Sequence, residues 1–489
     1  MVSLSSQLGV KPGFILSPMP KDLRSFLAER SHSHPQDVLH VARQVSIRHE
    51  ITAIQHKLAM AGKHPVLVFD QPVRPDGSVS PYPVVANLTA SRQLCADALG
   101  IHPLRVAMEY LAKINRRGEI VTLESSQAPV KEVVKSGADL DLFNFPAPVH
   151  FHIDPGQYLT ASFVCTYDPD TGVDNSAAAR LWVKEPRLLA INLLPASHSN
   201  LNLQKFWAKD EPMPVAVWIG HHPAAIIGTQ VRKGYPDSHW ASMAGCLDEP
   251  LRLVPTETHG DRLMVPADAE IVIEGFVPKG RLYAEGPFAD FTGYAWGQRP
   301  NPVIEVTAVT HRRQALFHDY GAGLPDQLVI GNFPLEARIY EALKRSFPEV
   351  QNVHVPLSGH RHHVYVSIRT NRPGIARDIV GAALAVDTRV KHIVVVDDDV
   401  DIFSDEQVLW AIATRSYWDN DVIVNPAGAW YDGTLMPKGG IDATLPLPLG
   451  TGLPNFYAAR NRLPEDVDRR IRLEDYIDPA VMAQLPGTF

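Results

Sequence analysis

Two carboxylates, Glu285 and Asp290, lie five residues apart in the segment Glu-Gly-Pro-Phe-Ala-Asp-Phe-Thr-Gly-Tyr. Gly286 and Pro287 predict a turn between them, and the aromatic and apolar neighbours would desolvate both acids. Desolvation raises the pKa of a carboxyl group, and a nearby like charge raises the pKa of one of the two further. Such a pair suits proton transfer near neutral pH. The spacing is also compatible with a turn at a strand end that carries two solvated acids.

Three polar residues in the middle of the chain are further candidates. Arg180 ends the segment Asp-Asn-Ser-Ala-Ala-Ala-Arg, where small neighbours leave room for a large group and the guanidinium could hold a carboxylate through two hydrogen bonds. Strand alternation would place Asn175 and Arg180 on opposite faces unless a bulge or turn intervenes. His198 follows an apolar strand predicted for Leu188 to Leu194. A surface arginine and a structural histidine remain the alternative interpretations.

A cluster of acids suggests a different chemistry. Asp397, Asp398 and Asp401 match the aspartate-rich spacing of prenyl-diphosphate enzymes, in which clustered carboxylates hold Mg²⁺ with a diphosphate. In those enzymes the acids line a long helix, whereas here they follow a strand predicted for Ile393 to Val396. A metal-dependent prenyl-diphosphate enzyme is therefore a remote alternative, and a solvated loop before a helix is the simpler interpretation.

The composition restricts the classes of protein and partner. A length of 489 residues predicts two to four domains, and 45% hydrophobic residues are ordinary for a globular protein. A net charge of -8 without a long basic run disfavours nucleic acid and anionic membranes and favours a small-molecule ligand. Three widely spaced cysteines indicate a reducing compartment, and no apolar run approaches roughly 18 residues. We therefore expect a cytoplasmic protein without a membrane span.

Three regions with different periodicity must position the candidate side chains. In residues 1–118, apolar residues at helical spacing alternate with short β-rich segments, which predicts an α/β module. In residues 119–325, strand signals between turn-rich segments predict a barrel or sandwich of mainly antiparallel strands. Its predicted strands are Leu188 to Leu194, Val215 to Ile219, Ala224 to Gly228, Ile271 to Val277 and Val303 to Val309.

Alternation of helices and strands returns in residues 326–489 and predicts a second α/β domain. Helices are predicted at residues 334–346 and 374–385, and strands at residues 363–369 and 392–396. Ser404 with Gln407 is typical of a capping box, which would open a helix that ends at Arg415. The tail after residue 433 is rich in Pro and Gly, and we expect it to wrap another surface or another subunit.

The chain resembles the UbiD-type reversible decarboxylases, which use prenylated flavin mononucleotide (prenylated FMN). The segment from Glu285 to Tyr294 is similar to the signature of that family. Similar segments follow the order of the family along nearly the whole chain: Asp22 to Leu27, Glu50 to Ile54, Tyr82 to Val85, Pro223 to Ile226, Val395 to Asp399 and Trp410 to Arg415. Several independent motifs in one order make the resemblance specific.

The resemblance implies a fold and a reaction. The fold would be α/β and α+β in several domains, with an N-terminal α/β domain, a central split β-barrel of the flavin-reductase type that binds prenylated FMN, and a C-terminal α/β domain with an oligomerisation tail. The reaction would be the non-oxidative, reversible decarboxylation of an aromatic, heteroaromatic or α,β-unsaturated carboxylic acid. Decarboxylation of a polyprenylated hydroxybenzoate in quinone biosynthesis is the alternative. A non-catalytic role as a subunit or flavin carrier is disfavoured, because competent side chains occupy every catalytic position.

The resemblance also assigns catalytic roles. Glu285, Arg180 and Asp290 occupy the positions of the Glu-Arg-Glu/Asp triad of the family. Arg180 would hold the substrate carboxylate or polarise the flavin and would pair with Glu285. Asp290, less paired and more desolvated, would deliver the proton that replaces CO₂.

The family's metal site binds a divalent ion, typically Mn²⁺, and the cofactor phosphate through an Asn, a His and a Glu. Asn175 and His198 match the first two ligands, but the glutamate position falls on His239. Imidazole at this position could still bind Mn²⁺ with one less negative charge, or water or K⁺ would complete the site. The implied cofactor-binding residues are Asn175, Ser176, Ala177, Ala178, Ala179, Arg180, Ser197, His198, Thr229, Gln230, His239 and Arg415.

The resemblance implies partners as well. These are a small carboxylic acid as substrate, CO₂ as product and a flavin prenyltransferase that supplies the cofactor. The chain would assemble as a homodimer or a homohexamer.

Overall fold

The computed structural model of the protein describes residues 20–232, 234–430, 433–445, 461 and 463–482. Of the tail predicted to serve oligomerisation, residues 446–460, 462 and 483–489 therefore lie outside the described residues. The mixed α/β fold class is confirmed. The boundaries predicted after residues 118 and 325 stay a prediction.

The first part of the chain forms a small sheet with flanking helices. Its helices are α1 (Leu23–Ser33), α2 (Glu50–Met60), α3 (Arg92–Leu99) and α4 (Val106–Asn115), and its strands are β1 (Val38–Val41), β2 (Val45–Ser46), β3 (Val66–Phe69), β4 (Pro72–Val73) and β5 (Val84–Ala86). β1 pairs with β3 in parallel, whereas β5 is antiparallel to β3. The predicted α/β pattern is present.

The central part is rich in strands. Its strands are β6 (Ile120–Thr122), β7 (Val133–Ser136), β8 (Tyr158–Leu159), β9 (Ser162–Tyr167), β10 (Asp174–Ala178), β11 (Leu181–Glu185), β12 (Leu188–Ile191), β13 (Met213–Ile219), β14 (Leu251–Thr256), β15 (Gly260–Pro266), β16 (Ile271–Val277), β17 (Leu282–Glu285), β18 (Phe288–Ala289), β19 (Ala295–Trp296), β20 (Arg299–His311) and β21 (Phe317–His318). Its helices are α5 (His198–Ala208), α6 (Pro223–Gly228) and α7 (His239–Leu247).

One sheet of ten strands organises this central part. Its order is β10-β9-β13-β16-β20-β12-β11-β8, and β7 and β17 also pair with β20. The pairs in this sheet are antiparallel, as predicted. The strand β20 joins the strands β10, β9, β13 and β16 to the strands β12, β11 and β8. Its residues pair with β16 at one end and with β12 and β17 at the other. This arrangement brings the end of β17 close to the start of β11, where the candidate residues lie.

One predicted strand of the central part is wrong. Residues 224–228 belong to the helix α6, which begins at Pro223 and is preceded by His222, whose Nδ1 accepts a hydrogen bond from the Ala224 amide at 3.2 Å. Every residue of α6 is buried, so its apolar run carries no period that could separate a buried helix from a buried strand. Proline at the first helical position was the available signal.

The C-terminal part is a second α/β unit. Its helices are α8 (Pro325–Lys344), α9 (Ile375–Val386), α10 (Asp405–Arg415), α11 (Glu465–Arg470) and α12 (Pro479–Met482), and its strands are β22 (Val350–His354), β23 (His363–Ile368), β24 (His392–Asp397), β25 (Val422–Ala429) and β26 (Leu435–Ala443). The sheet order is β22-β23-β24-β26-β25. Ser404 caps α10 as predicted, but the Gln407 side chain accepts from the Asp401 amide, so only half of the capping box forms.

The hydrophobic cores show how the parts are joined. One continuous cluster contains Leu94 and Tyr110 from the first part, Trp218 from the central sheet and Phe333 from α8. A separate cluster under the C-terminal sheet includes Val366. The first and central parts therefore share a core that α8 enters, whereas the C-terminal sheet has a core of its own. Within the described ranges, no helix is long and apolar enough to cross a membrane.

Candidate active site

A buried ion pair joins two of the predicted catalytic residues. Arg180 lies directly before β11, and its Nε and Nη2 donate to Oε1 and Oε2 of Glu285, the last residue of β17, both at 2.9 Å. Glu285 is 1% exposed, and Asn301 on β20 donates to its Oε2 at 3.1 Å. Three donated hydrogen bonds suit an ionised carboxylate. Arg180 and Glu285 meet because β11, β12, β20 and β17 are successive neighbours in the sheet.

The third catalytic candidate lies in the turn that follows β18. Asp290 Oδ2 accepts a hydrogen bond from Trp296 Nε1 at 2.6 Å, and its Oδ1 accepts from the Phe291 amide at 2.7 Å. Asp290 is half-buried, so the prediction that it is more desolvated than Glu285 is wrong. The reason is positional, because Glu285 ends a strand inside the sheet whereas Asp290 belongs to a short connection between β18 and β19.

Gly286 and Pro287, the residues predicted to form a turn, are the two-residue connection between β17 and β18. Gly286 has φ of 89°, a left-handed value that favours glycine, and a Cβ there would lie 3.1 Å from the Gly297 carbonyl oxygen. Its amide donates to the Tyr158 hydroxyl at 3.2 Å. The connection therefore needs glycine both for its backbone angle and for its close packing.

An aromatic wall beside the ion pair was missed by sequence reasoning. The Tyr158 and Phe288 rings are 4.0 Å apart between centroids, and the Trp182 ring stacks on Tyr158 at 5.9 Å. The Arg180 guanidinium lies 5.2 Å from the Phe288 centroid. Burial, followed by the adjacent Glu285 charge, raises the pKa of Tyr158 well above its usual range, so the phenol stays protonated. Since these rings come from distant segments, only Phe288, inside the signature segment, carried a sequence signal.

The predicted cofactor segment on β10 divides between core and surface. Asn175 Nδ2 donates to Ser199 Oγ at 2.8 Å and to Thr166 Oγ1 at 3.3 Å, and Asn175 is 3% exposed. Ser176 is fully buried, and its Oγ accepts from Trp218 Nε1 at 3.0 Å, so its side chain is directed into the core. Ala177, Ala178 and Ala179 continue toward Arg180 with small side chains at intermediate or exposed positions. Because β10 ends at Ala178, strand alternation does not extend to Arg180.

The three predicted metal ligands converge from three elements. His198 and His239 are the first residues of α5 and α7, and their ring centroids are 5.8 Å apart. Ser197 caps α5 with its hydroxyl, and Asn175 is tied to α5 through Ser199. In the described ranges, no group of three or more His, Cys, Asp or Glu side chains is arranged to hold a metal ion. The assignment of Asn175, His198 and His239 as metal ligands stays a prediction.

An acid beside this donor set was also missed. Asp174, the neighbour of Asn175, accepts hydrogen bonds through Oδ1 from the His239 amide at 2.8 Å and the Trp240 amide at 3.1 Å. Burial raises the pKa of the Asp174 carboxyl, although these hydrogen bonds oppose the shift. Asp174 thus links the start of β10 to the start of α7 and places an acid next to His239.

The remaining predicted cofactor residues lie apart from the ion pair. Thr229 Oγ1 donates to the Ile226 carbonyl at the end of α6 and accepts from Gln230 Nε2 at 2.7 Å. Arg415 is 3% exposed at the end of α10, and it pairs with Asp399 and Asp397. Among the described residues, no hydrogen bond or ion pair connects these side chains to Glu285 or Asp290. Their contact with a cofactor stays a prediction.

The aspartate cluster is occupied by partners within the chain. Arg415 binds Asp399 through two hydrogen bonds of 2.9 and 2.8 Å, and Arg369 binds Asp398 at 3.0 Å. Asp401 Oδ1 accepts from the Phe403 amide at 2.9 Å. These carboxylates are therefore charge-compensated by arginines or engaged in a helix-start turn. The interpretation as a loop before α10 agrees with this geometry, and the metal-diphosphate alternative does not.

Profiles of one family match the chain in succession. The 3-octaprenyl-4-hydroxybenzoate carboxy-lyase N-terminal domain matches residues 32–114, the Rift-related domain of the same enzyme matches residues 121–325, and its C-terminal domain matches residues 328–437.

Relatives of nearly full length agree with this match. An anhydromevalonate phosphate decarboxylase of Methanosarcina mazei is 33% identical, covering 79% of this chain and 89% of the relative. A phenolic acid decarboxylase of Sedimentibacter hydroxybenzoicus is 29% identical, covering 88% and 92%. Among solved structures, an evolved dimeric form of the UbiD-class enzyme HmfF from Pelotomaculum thermopropionicum in complex with prFMN has a TM-score of 0.83 at 32% identity, covering 94% of this chain and 100% of that one. Since the family profiles follow one another along most of the chain and these relatives share its length and fold, the chain belongs to the UbiD family of carboxy-lyases.

Proposed function

We propose that this carboxy-lyase uses prenylated FMN for the non-oxidative, reversible decarboxylation of an aromatic, heteroaromatic or α,β-unsaturated carboxylic acid. The observation that carries the proposal is the buried Arg180–Glu285 pair, with Asp290 in the turn that follows. A solved relative at 32% identity was determined in complex with prFMN, which supports the choice of cofactor. The named relatives act on phenolic and other acids as decarboxylases, which supports the choice of reaction.

The residues near β10 fit the phosphate and metal of such a cofactor. Asn175 uses its amide nitrogen for two hydrogen bonds within the protein, and its Oδ1 accepts none from the residues that the structure describes. The amide oxygen of Asn175 is a donor of the kind that Mn²⁺ prefers, and imidazole nitrogens are common metal ligands that could complete the set. We infer that Asn175, His198 and His239 hold Mn²⁺ and the phosphate, with K⁺ as an optional second ion. Asp174 places an acid directly beside His239.

When bound, the prenylated flavin supplies the electron sink for the bond that breaks. The protein then has to orient the acid, exclude water and manage one proton. Arg180 provides the positive charge for a substrate carboxylate, and Glu285 fixes the plane of its guanidinium through two hydrogen bonds. Tyr158, Phe288 and Trp182 form an apolar wall that excludes water on this side and suits a flat, unsaturated substrate.

Asp290 is the proton donor in this proposal. Its carboxyl is half-buried, so it can exchange a proton with water and deliver that proton to the substrate carbon that has lost CO₂. The Trp296 indole fixes Oδ2, which leaves Oδ1 as the oxygen that can carry the transferred proton when its hydrogen bond from the Phe291 amide opens. Glu285, buried and paired on both oxygens, is unsuited to that exchange.

The experiment is reconstitution followed by matched substitutions. The chain is co-expressed with a flavin prenyltransferase, the absorption and mass of the bound cofactor are recorded, and a set of carboxylic acids is screened for CO₂ release. Arg180→Ala and Asp290→Asn should each lower turnover at least about 100-fold, the lower end of the range for a positioned proton-transfer group. Glu185→Gln, at an exposed position of β11, is the control. Near-normal turnover of either site variant, or full activity with unmodified FMN, would overturn the proposal.

A further inference from the structure

We propose that His360, a residue of the C-terminal part, is a positioning residue for Asp290. The inference about the proton rests on the function proposed above, whereas the contact itself does not. His360 Nδ1 donates to the carbonyl oxygen of Phe291 at 2.6 Å, one residue beyond the proposed proton donor. The protein thereby holds the Asp290 turn from a different structural unit than the one that carries Arg180 and Glu285.

The backbone at this contact is strained, which indicates a constrained position. His360 and Arg361 both have left-handed φ angles, 44° and 64°, in two consecutive residues that are not glycine. Side chains with a Cβ adopt this region at a free-energy cost, and such residues persist only where the surroundings hold them. Glycine is the residue that adopts such an angle most easily. His360 and Arg361 nevertheless carry side chains, and both side chains contact the Asp290 turn.

Helix α8 contacts the strained residues through Arg361. The Arg361 guanidinium donates to the carbonyls of Gln327 and Leu328 in the first turns of α8. It fills the space over Gly331, where a Cβ would lie 2.2 Å from its Cζ. On its other side, the same guanidinium lies 5.4 Å from the Phe291 ring centroid. Arg361 is therefore packed between α8 and Phe291 and fixes the place at which His360 reaches the Phe291 carbonyl.

The Asp290 turn is held at further points, so that its carboxylate has a defined direction. The His362 ring lies 5.6 Å from the Phe291 ring, and Gly323 approaches so closely that a Cβ there would be 3.1 Å from the Asp290 carbonyl oxygen. Trp296 binds one carboxylate oxygen directly. Loss of the hydrogen bond from His360 removes one of these contacts while Trp296 still binds Oδ2, so the backbone beside Asp290 becomes less restrained.

The consequence lies in the second half of the reaction. When the bond between the substrate carbon and its carboxylate breaks, CO₂ leaves and the electron pair remains with the substrate and its electron sink. That carbon then either forms a C–H bond with the Asp290 proton, which leaves Asp290 as a carboxylate, or takes CO₂ back. Misplacement of Asp290 slows only the first of these steps. Return of CO₂ should therefore increase relative to product formation.

The first test measures the contact in cofactor-free protein by hydrogen–deuterium exchange and mass spectrometry. His360→Gly keeps the left-handed backbone and removes the hydrogen bond, whereas His360→Asn tolerates the same backbone and retains a donor. Exchange at residues 288–296 should become about threefold to tenfold faster in His360→Gly, as for the loss of one hydrogen bond. It should stay closer to the unaltered protein in His360→Asn. His392→Ala, an exposed histidine on β24, is the control and should leave this segment unchanged.

The second test uses the reconstituted holoenzyme in isotopically labelled bicarbonate. The ratio of label recovered in unreacted substrate to product formed should rise about threefold to tenfold in His360→Gly and return toward its original value in His360→Asn. Unchanged exchange at residues 288–296 in His360→Gly would overturn the positioning contact. Faster exchange there with an unchanged label ratio would overturn its role in protonation. A holoenzyme without any CO₂ release would refute the proposed function instead, while the first test would still decide the contact.

Discussion

The Arg180–Glu285 pair provides a prediction about stability that separates chemistry from folding. Glu285 is 1% exposed, and the Arg180 side chain is 16% exposed. Removing one member of a buried, hydrogen-bonded ion pair destabilises a protein by about 3–5 kcal/mol, because the other charge stays buried without compensation. Arg180→Met should therefore lower the free energy of unfolding by about that amount, since Asn301 alone cannot neutralise Glu285. Glu285→Gln should have a smaller effect, about 1–3 kcal/mol, because Arg180 remains stacked on Phe288 and partly solvated.

The double variant Arg180→Met/Glu285→Gln tests whether the two charges stabilise each other. Because it removes both charges, it should be more stable than Arg180→Met alone, with a coupling energy of about 2–3 kcal/mol in a double-mutant cycle. Urea unfolding followed by tryptophan fluorescence measures these differences. The exposed pair Arg281–Glu305, with side chains 39% and 48% exposed, is the control, and its neutralisation should change the free energy by less than about 1 kcal/mol.

The same variants separate stability from catalysis. The double variant should fold well and still release no CO₂, since the charge that orients the substrate carboxylate is absent. If the free-energy change of the double variant equals the sum of the two single changes, the coupling energy is zero, and this result would refute a tightly coupled buried pair. Recovery of turnover in the double variant would refute the catalytic role of the pair.

Three further predictions concern other groups. Burial raises the pKa of Asp326 to about 7, well above its value in the unfolded chain. The neutral acid therefore stabilises the fold below about pH 4, and this stabilisation is lost as the pH rises to about 7. In thermal unfolding, Asp326→Asn should flatten the pH dependence of stability between about pH 4 and pH 7. All three cysteines are buried thiols that form no disulfide, and burial raises the pKa of the Cys95 and Cys165 thiols, so a thiol reagent should modify these two slowly in the folded protein and rapidly in denaturant. Finally, His239→Ala should lower the Mn²⁺ bound per chain in elemental analysis, and unchanged metal content would exclude it as a ligand.

Local signals in the sequence predicted most of the elements. Caps, apolar runs and turn residues are properties of neighbouring positions, so β16, α9, β24 and α10 lie where their patterns indicated. The pattern failed at α6, because a segment buried on all sides shows no period. The expectation that Asp290 is more desolvated than Glu285 was also wrong. Burial depends on where a segment lies in the fold and not on its neighbours in sequence.

In the candidate site, too, residues close in sequence could be predicted, whereas contacts between distant segments could not. Glu285 and Asp290 lie inside one motif and could be found together, whereas Trp296, two residues beyond that motif, was not recognised as a hydrogen-bond donor to Asp290. Contacts made through space could not, and these include Tyr158 against Phe288 and His360 against Phe291. Asp174 was overlooked although it adjoins Asn175, since nothing in the sequence shows that the start of α7 returns to β10.

The position of Asp174 changes how the substitution at His239 is understood. The resemblance predicts a glutamate at the position of His239, and a histidine there would remove one negative charge from the proposed site for a divalent cation and a phosphate. The structure places the Asp174 carboxyl group on the backbone amide of that same histidine, so an acid lies directly beside His239. Two amide hydrogen bonds stabilise this carboxylate in a buried place, where burial alone would favour the neutral acid. The amide hydrogen bonds and burial therefore act in opposite directions on the pKa of Asp174, and burial is the larger cause.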